Sequence, residues 1–187
     1  KMQMPVPMMN VINGGKHAAL STDIQEFMII PVSAQSFAEA LRMGAEVFQT
    51  LGKVLKTKGY PTTVGDEGGY APSVKNGNKE ALDLILEAIR KAGYFPRKDF
   101  LIGLDVAASE LYIDREYWIN TESERFPSLQ MVEWLQGIAR MYPVVSIEDG
   151  LDQNDWEGWK KLTRSIGETT QIVGDDLLVT NPKFLQK

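Results

Sequence analysis

The stretch VVSIEDGL, residues 144–151, decides how this chain is read. Val144, Val145 and Ile147 are strand formers, and the run is apolar enough to be buried on both faces. It then stops on two carboxylates, Glu148 and Asp149. An isolated buried carboxylate is costly, so acids closing such a strand belong at a sheet rim or beside a ligand. The chain repeats the pattern. FLIGLD (100–105) finishes on Asp105, and QIVGDD (171–176) brings Asp175 to the same position. The three acids are 43 and 27 residues apart, of the order of one strand–helix unit with and without an insertion.

The segments between these strands read as helices. Ser128 is taken as the cap of a helix over 129–141 that stops before Pro143, and DWEGWKKLTRSI (155–166) forms another that ends at Gly167. From residue 100 onward the order is therefore β, α, β, α, β, which predicts a parallel α/β sheet, either an α/β barrel or a doubly wound sheet. In a barrel, all three acids would surface at the C-terminal rim, where barrel enzymes carry their active sites. One acid alone would ordinarily be a helix cap. Three converging carboxylates repel unless a cation lies between them, and a hard divalent ion such as Mg²⁺ suits an all-oxygen set.

The first half of the chain is less regular. MPVPMMNVI (4–12) and EFMIIPV (26–32) are two strands in succession, followed by two helices. In the first helix Ser36 and Glu39 form a capping box, Phe37, Leu41, Val47, Phe48, Leu51 and Val54 form the apolar stripe, and Gly59 is the stop. The second, 79–92, takes Asn78 as its cap, Leu82, Ile85, Leu86 and Ile89 as its buried face, and Gly93 as its stop. YIDREYWIN (112–120) reads as a small hairpin. Trp156 and Trp159, at helical spacing, are core residues, and Lys160 and Lys161 form a solvated face.

Two loops carry further candidates. GDEGGYAP (65–72) flanks Asp66 and Glu67 with glycines, which permit close backbone approach to a ligand. Adjacent carboxyls oppose each other's charge, so one of the pair can keep a proton and act as a general acid. NGGKHAALSTDIQEF (13–27) holds the only histidine, His17, and leads to Gln25 and Glu26 at a strand start. A histidine on a glycine loop can donate to a phosphate.

Composition narrows the classes. The chain has 187 residues, 43% hydrophobic and 24% charged, with a net charge of −5. An acidic balance argues against nucleic acid or an anionic membrane as the main partner. No run approaches the roughly 18 apolar residues of a membrane span, and no signal-peptide layout opens the chain, so a cytoplasmic protein is expected. The absence of cysteine rules out disulfides, thiolate metal sites and thiol nucleophiles. Neither a phosphate-binding P-loop nor a dinucleotide fingerprint nor a nucleophile elbow is present.

Together PMMNVINGGKHA, DIQEFMIIP, ALRMGAEVF, VGDEGGYAP, LDVAASE, VSIEDGLDQNDWEGW and GDDLLVTNP resemble the enolases, in family order and over essentially the whole chain. The resemblance implies the reversible dehydration of 2-phosphoglycerate to phosphoenolpyruvate. It implies Mg²⁺ bound by Asp105, Glu148 and Asp175. Glu67 is implied as the acid for the departing 3-hydroxyl, with the catalytic Glu26 beside it. His17, Gln25, Glu26, Glu148 and Asp175 are implied to contact the small-molecule substrate. The enolase superfamily is itself the standard instance of Mg²⁺ offsetting charge on a substrate carboxylate while a Lys or His removes a proton. The implied fold is a TIM-type barrel that starts β-β-α-α. Residues 1–187 would be part of the C-terminal catalytic barrel domain, without the N-terminal domain and the last barrel strands. The lysine base and other substrate-gripping residues would lie outside this stretch. The isolated chain is accordingly expected to be inactive, and the full-length protein to be a homo-oligomer. The alternative is a fragment that serves as a non-catalytic binding module.

Overall fold

A computed structural model describes residues 4–18 and 21–186. The two early strands form where expected, although the first is shorter: β1 is Met9–Asn13 and β2 is Glu26–Pro31. They are followed by α1 (Phe37–Thr57), α2 (Gly77–Lys91) and β3 (Phe100–Asp105). The predicted hairpin is part of a three-stranded antiparallel sheet of β4 (Tyr112–Ile113), β5 (Glu116–Ile119) and β6 (Glu124–Phe126). Next come α3 (Ser128–Met141), β7 (Val144–Glu148), α4 (Trp156–Ile166) and β8 (Gln171–Val173). Two short helices finish the described chain, α5 (Asp175–Leu178) and α6 (Pro182–Leu185).

The main sheet has five strands in the order β1-β2-β3-β7-β8. β1–β2 and β2–β3 are antiparallel, whereas β3–β7 and β7–β8 are parallel. The β-β-α-α opening followed by βα units is an incomplete TIM-type barrel, its five strands forming an open sheet.

Local chemistry accounts for most helix ends. Ser36 Oγ accepts the Glu39 N–H at 3.2 Å while Glu39 returns to the Gln35 N–H at 2.8 Å, so the capping box is present. Gly59, at φ +79°, ends the helix by adopting the left-handed turn that side chains resist. The buried face of α1 is Ala40, Met43, Val47, Leu51, Val54 and Leu55. Phe37 and Leu41, expected in that stripe, point outward, 44% and 55% exposed, because the face follows the 40–43–47–51–54 ridge. In α2, Leu82, Ile85 and Ile89 are fully buried and Leu86 partly so. Trp159 is core, with its indole N–H donating to the Asp152 carbonyl at 3.1 Å, while Trp156 is half-buried. Lys160 is exposed and pairs with Glu157.

Two caps differ from expectation. Ser128 is the first helical residue of α3, after Pro127. Asn78 is not a cap but lies in the first turn of α2, fully buried. Its Oδ1 accepts the backbone N–H groups of Asp23 and Ile24, both at 3.0 Å, and its Nδ2 donates to Asp23 Oδ2. Asp23 in turn accepts the backbone N–H and hydroxyl of Thr121. Residues distant in sequence thus tie the β1–β2 loop to α2 and to the small sheet.

Replacing Asn78 with alanine strands two buried N–H donors and part of Asp23, a loss of about 2–4 kcal/mol at 1–3 kcal/mol per unsatisfied group. Urea unfolding should show this as a lower midpoint with an unchanged slope. A loss below about 1 kcal/mol would mean that the network is not a structural tie.

Candidate active site and metal centre

Strand pairing sets the site. Glu26 is the first residue of β2, Asp105 the last of β3 and Glu148 the last of β7, and the register places Glu26 opposite Asp105 and Asp105 opposite Glu148. Residues in register on adjacent strands share a face, about 4.8 Å apart along the hydrogen-bonding direction. Three carboxylates therefore stand in one row at one end of the sheet. Val173 closes the row on β8. Asp175 does not end that strand as the sequence suggested. The strand stops at Val173 and Asp175 opens α5 two residues later, exposed, because the chain turns at Gly174.

The electrostatics follow from this row. Burial, reinforced by the neighbouring Glu26 charge, raises Asp105 to about 6; the Ala107 N–H at 3.0 Å and the Gln25 amide at 3.4 Å pull the other way. Glu148 is raised to about 7 by burial and then by Asp105, Asp149 and Asp175. Glu26 is raised by burial and by Glu67, with His17 opposing. Among the described residues, no Lys or Arg forms an ion pair with Asp105, Glu148, Asp149 or Asp175.

Asp149 belongs to this group although the sequence reading assigned it no role. It is 3% exposed and lifted to about 6, chiefly by burial. Its φ of +42° turns the chain inward after Glu148. Asp149 Oδ2 accepts the Asp176 N–H at 2.9 Å, and Oδ1 has no partner among the described residues. The signal available was the Glu-Asp-Gly sequence at the end of a buried strand.

The loop residues meet the row at its Glu26 end. His17 ends a short helical turn, Gly15–His17, and its Nδ1 lies 3.6 Å from Glu26 Oε1. Glu67 is exposed on the 65–69 loop. His17, Glu26 and Glu67 each bring a potential ligand atom within 4.8 Å of the others. Asp105, Glu148 and Asp175 are not grouped so closely; the first two are register partners and Asp175 sits on α5. Gln25 joins the halves: its side chain donates to Asp105, and its carbonyl accepts the Gly14 N–H at 2.8 Å.

Concavity alone does not find this site. A groove of about 650 Å³ lies between α4 and β8 and is lined by Trp156, Trp159, Ile172 and Leu177. It holds none of the candidate residues. The candidate residues stand instead where charge is uncompensated. The donor set around Asp105 and Glu148 is oxygen only, half-buried and mutually repelling, which fits a hard divalent cation.

No helix among the described residues is long and apolar enough to cross a membrane. The family model for the enolase C-terminal TIM barrel domain matches residues 1–187.

The raised carboxyls bind protons more tightly in the folded state than in the unfolded one. Stability from Asp105, Glu148 and Asp149 is thus complete below the ordinary carboxylate range and lost as pH rises through about 6 to 7. In chelator, urea midpoints should fall between about pH 4 and pH 7, and saturating Mg²⁺ should flatten that slope. A slope unaltered by Mg²⁺ would remove the cation from this row.

Proposed function

Because the chain belongs to the enolase family through its C-terminal barrel domain, we propose that it supplies the metal-binding carboxylates and the acid for the Mg²⁺-dependent dehydration of 2-phosphoglycerate to phosphoenolpyruvate. The observation that carries this reading is the register row of Glu26, Asp105 and Glu148, with His17 and Glu67 gathered at one end.

Asp105, Glu148 and Asp175 would hold the ion. When bound, it supplies positive charge against the substrate carboxylate, whose negative charge grows as the neighbouring carbon loses its proton. The protein's own groups do the rest. Glu67 gives a proton to the 3-hydroxyl as the C–O bond breaks, so that the bonding pair leaves on water rather than hydroxide. Glu26, half-buried and already drawn toward its protonated form by burial and by Glu67, shares that proton. His17 reaches the phosphate end from its glycine loop, and Gln25 bridges Asp105 and the loop. The proton must leave carbon to a base. No Lys or Arg forms an ion pair with Glu26, Asp105 or Glu148 among the described residues, and the reaction is proposed for the full-length protein. The same reading carries with it a role in glycolysis, a cytoplasmic location and a homo-oligomeric full-length protein. A non-catalytic binding role is the competing outcome.

In the full-length protein, Glu67→Gln should lower kcat by about 10²–10⁴-fold and leave 2-phosphoglycerate affinity within a few-fold. Equal loss of both would argue against the acid role. Asp105→Asn should weaken Mg²⁺ binding in calorimetry. The 187-residue chain alone should bind Mg²⁺ but form no phosphoenolpyruvate by absorbance. A full-length protein that binds both ligands without turnover would favour the binding reading.

A further inference from the structure

Asn13 closes β1 and stands where three functional segments meet. It is opposite Glu26 in the strand register, it is followed at once by the glycine loop that carries His17, and it holds the loop that carries Glu67. Its side chain is completely buried. The Oδ1 accepts the Gly69 N–H at 2.8 Å, and the Asn13 backbone N–H donates to the Tyr70 carbonyl at 2.8 Å. The glycines of the loop fit around this one residue. A Cβ on Gly65 would come within 2.7 Å of the Asn13 Cβ, and one on Gly69 within 2.8 Å of its Oδ1. The far side of the loop is seated by Tyr70, whose ring stacks on Phe48 at 4.4 Å. The Asn13 Nδ2 is buried with no partner among the described residues. A purely structural core position would more economically be apolar.

We propose that Asn13 is a positioning residue for the acid: its carboxamide oxygen clamps the Gly65–Gly69 loop onto β1 and so fixes Glu67 against Glu26 and His17. The mechanism acts through Glu67, and this inference rests on the acid role assigned to that residue above. Without the clamp, Glu67 still sits on a tethered loop, since Gly65 bonds Gly69 and Tyr70 bonds Val11, but its distance to Glu26 is no longer held. Substrate binding through the Asp105–Glu148 row would be untouched.

The test combines amide exchange with kinetics on the full-length protein. In the wild type, the Gly69 amide should exchange about tenfold more slowly than that of Glu67. In Asn13→Ala that protection should be lost, with kcat down by about tenfold or more while KM and Mg²⁺ affinity stay within about threefold. Asn13→Asp keeps the acceptor and should retain Gly69 protection. Three results would overturn the clamp: a Gly69 amide as labile as Glu67 in the wild type, equal loosening in the Ala and Asp variants, or exchange that rises evenly over the whole barrel. If the wild-type protein has no dehydratase activity, the functional reading fails, while the exchange data still report on the clamp separately.

Discussion

The pairing of β2, β3 and β7 constrains everything else in this molecule, because it lines up three carboxylates at one level of the sheet. A strand alternates sides with every residue, so a slip of one position in either pairing would send one acid to the opposite face. The register therefore carries the chemistry as much as the residue types do. It also carries a cost. Glu26, Asp105 and Glu148 are each partly buried and carry like charge on neighbouring strands. The fold supplies few donors in return: the Ala107 N–H and the Gln25 amide to Asp105, and the Asp176 N–H to Asp149. Such an arrangement is relieved by protons at low pH or by a cation at neutral pH, and the two compete for the same oxygens.

The small β4–β6 sheet, peripheral in the sequence, is tied into this core more closely than its position in the chain suggests. Tyr117 is fully buried; its hydroxyl donates to Asp155 at 2.8 Å and accepts the Asp152 N–H at 2.9 Å, which joins β5 to the loop between β7 and α4. On the other side Thr121 donates to Asp23, and Glu122 accepts from Asn78 and from the Trp134 indole. The excursion thus braces the loop that leads from His17 to Glu26, and also the loop after Glu148. Lys16, next to His17, reaches Glu110 in the same region, an exposed pair at 2.5 Å that contributes little by itself. The loop is held mainly by the buried Asp23–Asn78 contacts at its distal end.

The strand–helix alternation after residue 100 was legible because each strand there is a short apolar run and each helix has a clear period. The acids at Asp105 and Glu148 were legible for the same reason: a carboxylate that ends a buried strand breaks the pattern. What was not legible depends on contacts between distant residues. Asn78 has the composition of a cap and sits near a helix start, but its partners are 54 and 55 residues away and cannot be read from local sequence. Phe37 and Leu41 have helical spacing, yet which of two adjoining ridges faces the sheet is decided by packing. Asp175 follows a strand-like run, and only the turn at Gly174 moves it onto α5. Asp149 was passed over because an acid after a strand end is usually a solvated cap; the left-handed backbone at that residue buries it instead.

The two halves of the site are built differently, and the difference suits the work assigned to them. Asp105 and Glu148 are borne on paired strands, with Asp105 backed by β2 on one side and β7 on the other. Their backbones cannot shift without breaking ladder hydrogen bonds on both sides, as a rigid grip on a small ion requires. His17 and Glu67 are on loops outside the ladder, joined to each other where the Asp66 N–H reaches the His17 carbonyl at 3.4 Å and to β1 where the Gly69 N–H reaches Asn13 Oδ1 at 2.8 Å. Glu26 stands between the halves, at the first position of a strand and within reach of both loops. Its place in the ladder fixes it relative to Asp105, while its carboxyl faces His17 and Glu67. Geometry held by the sheet is in this way passed to the two loops.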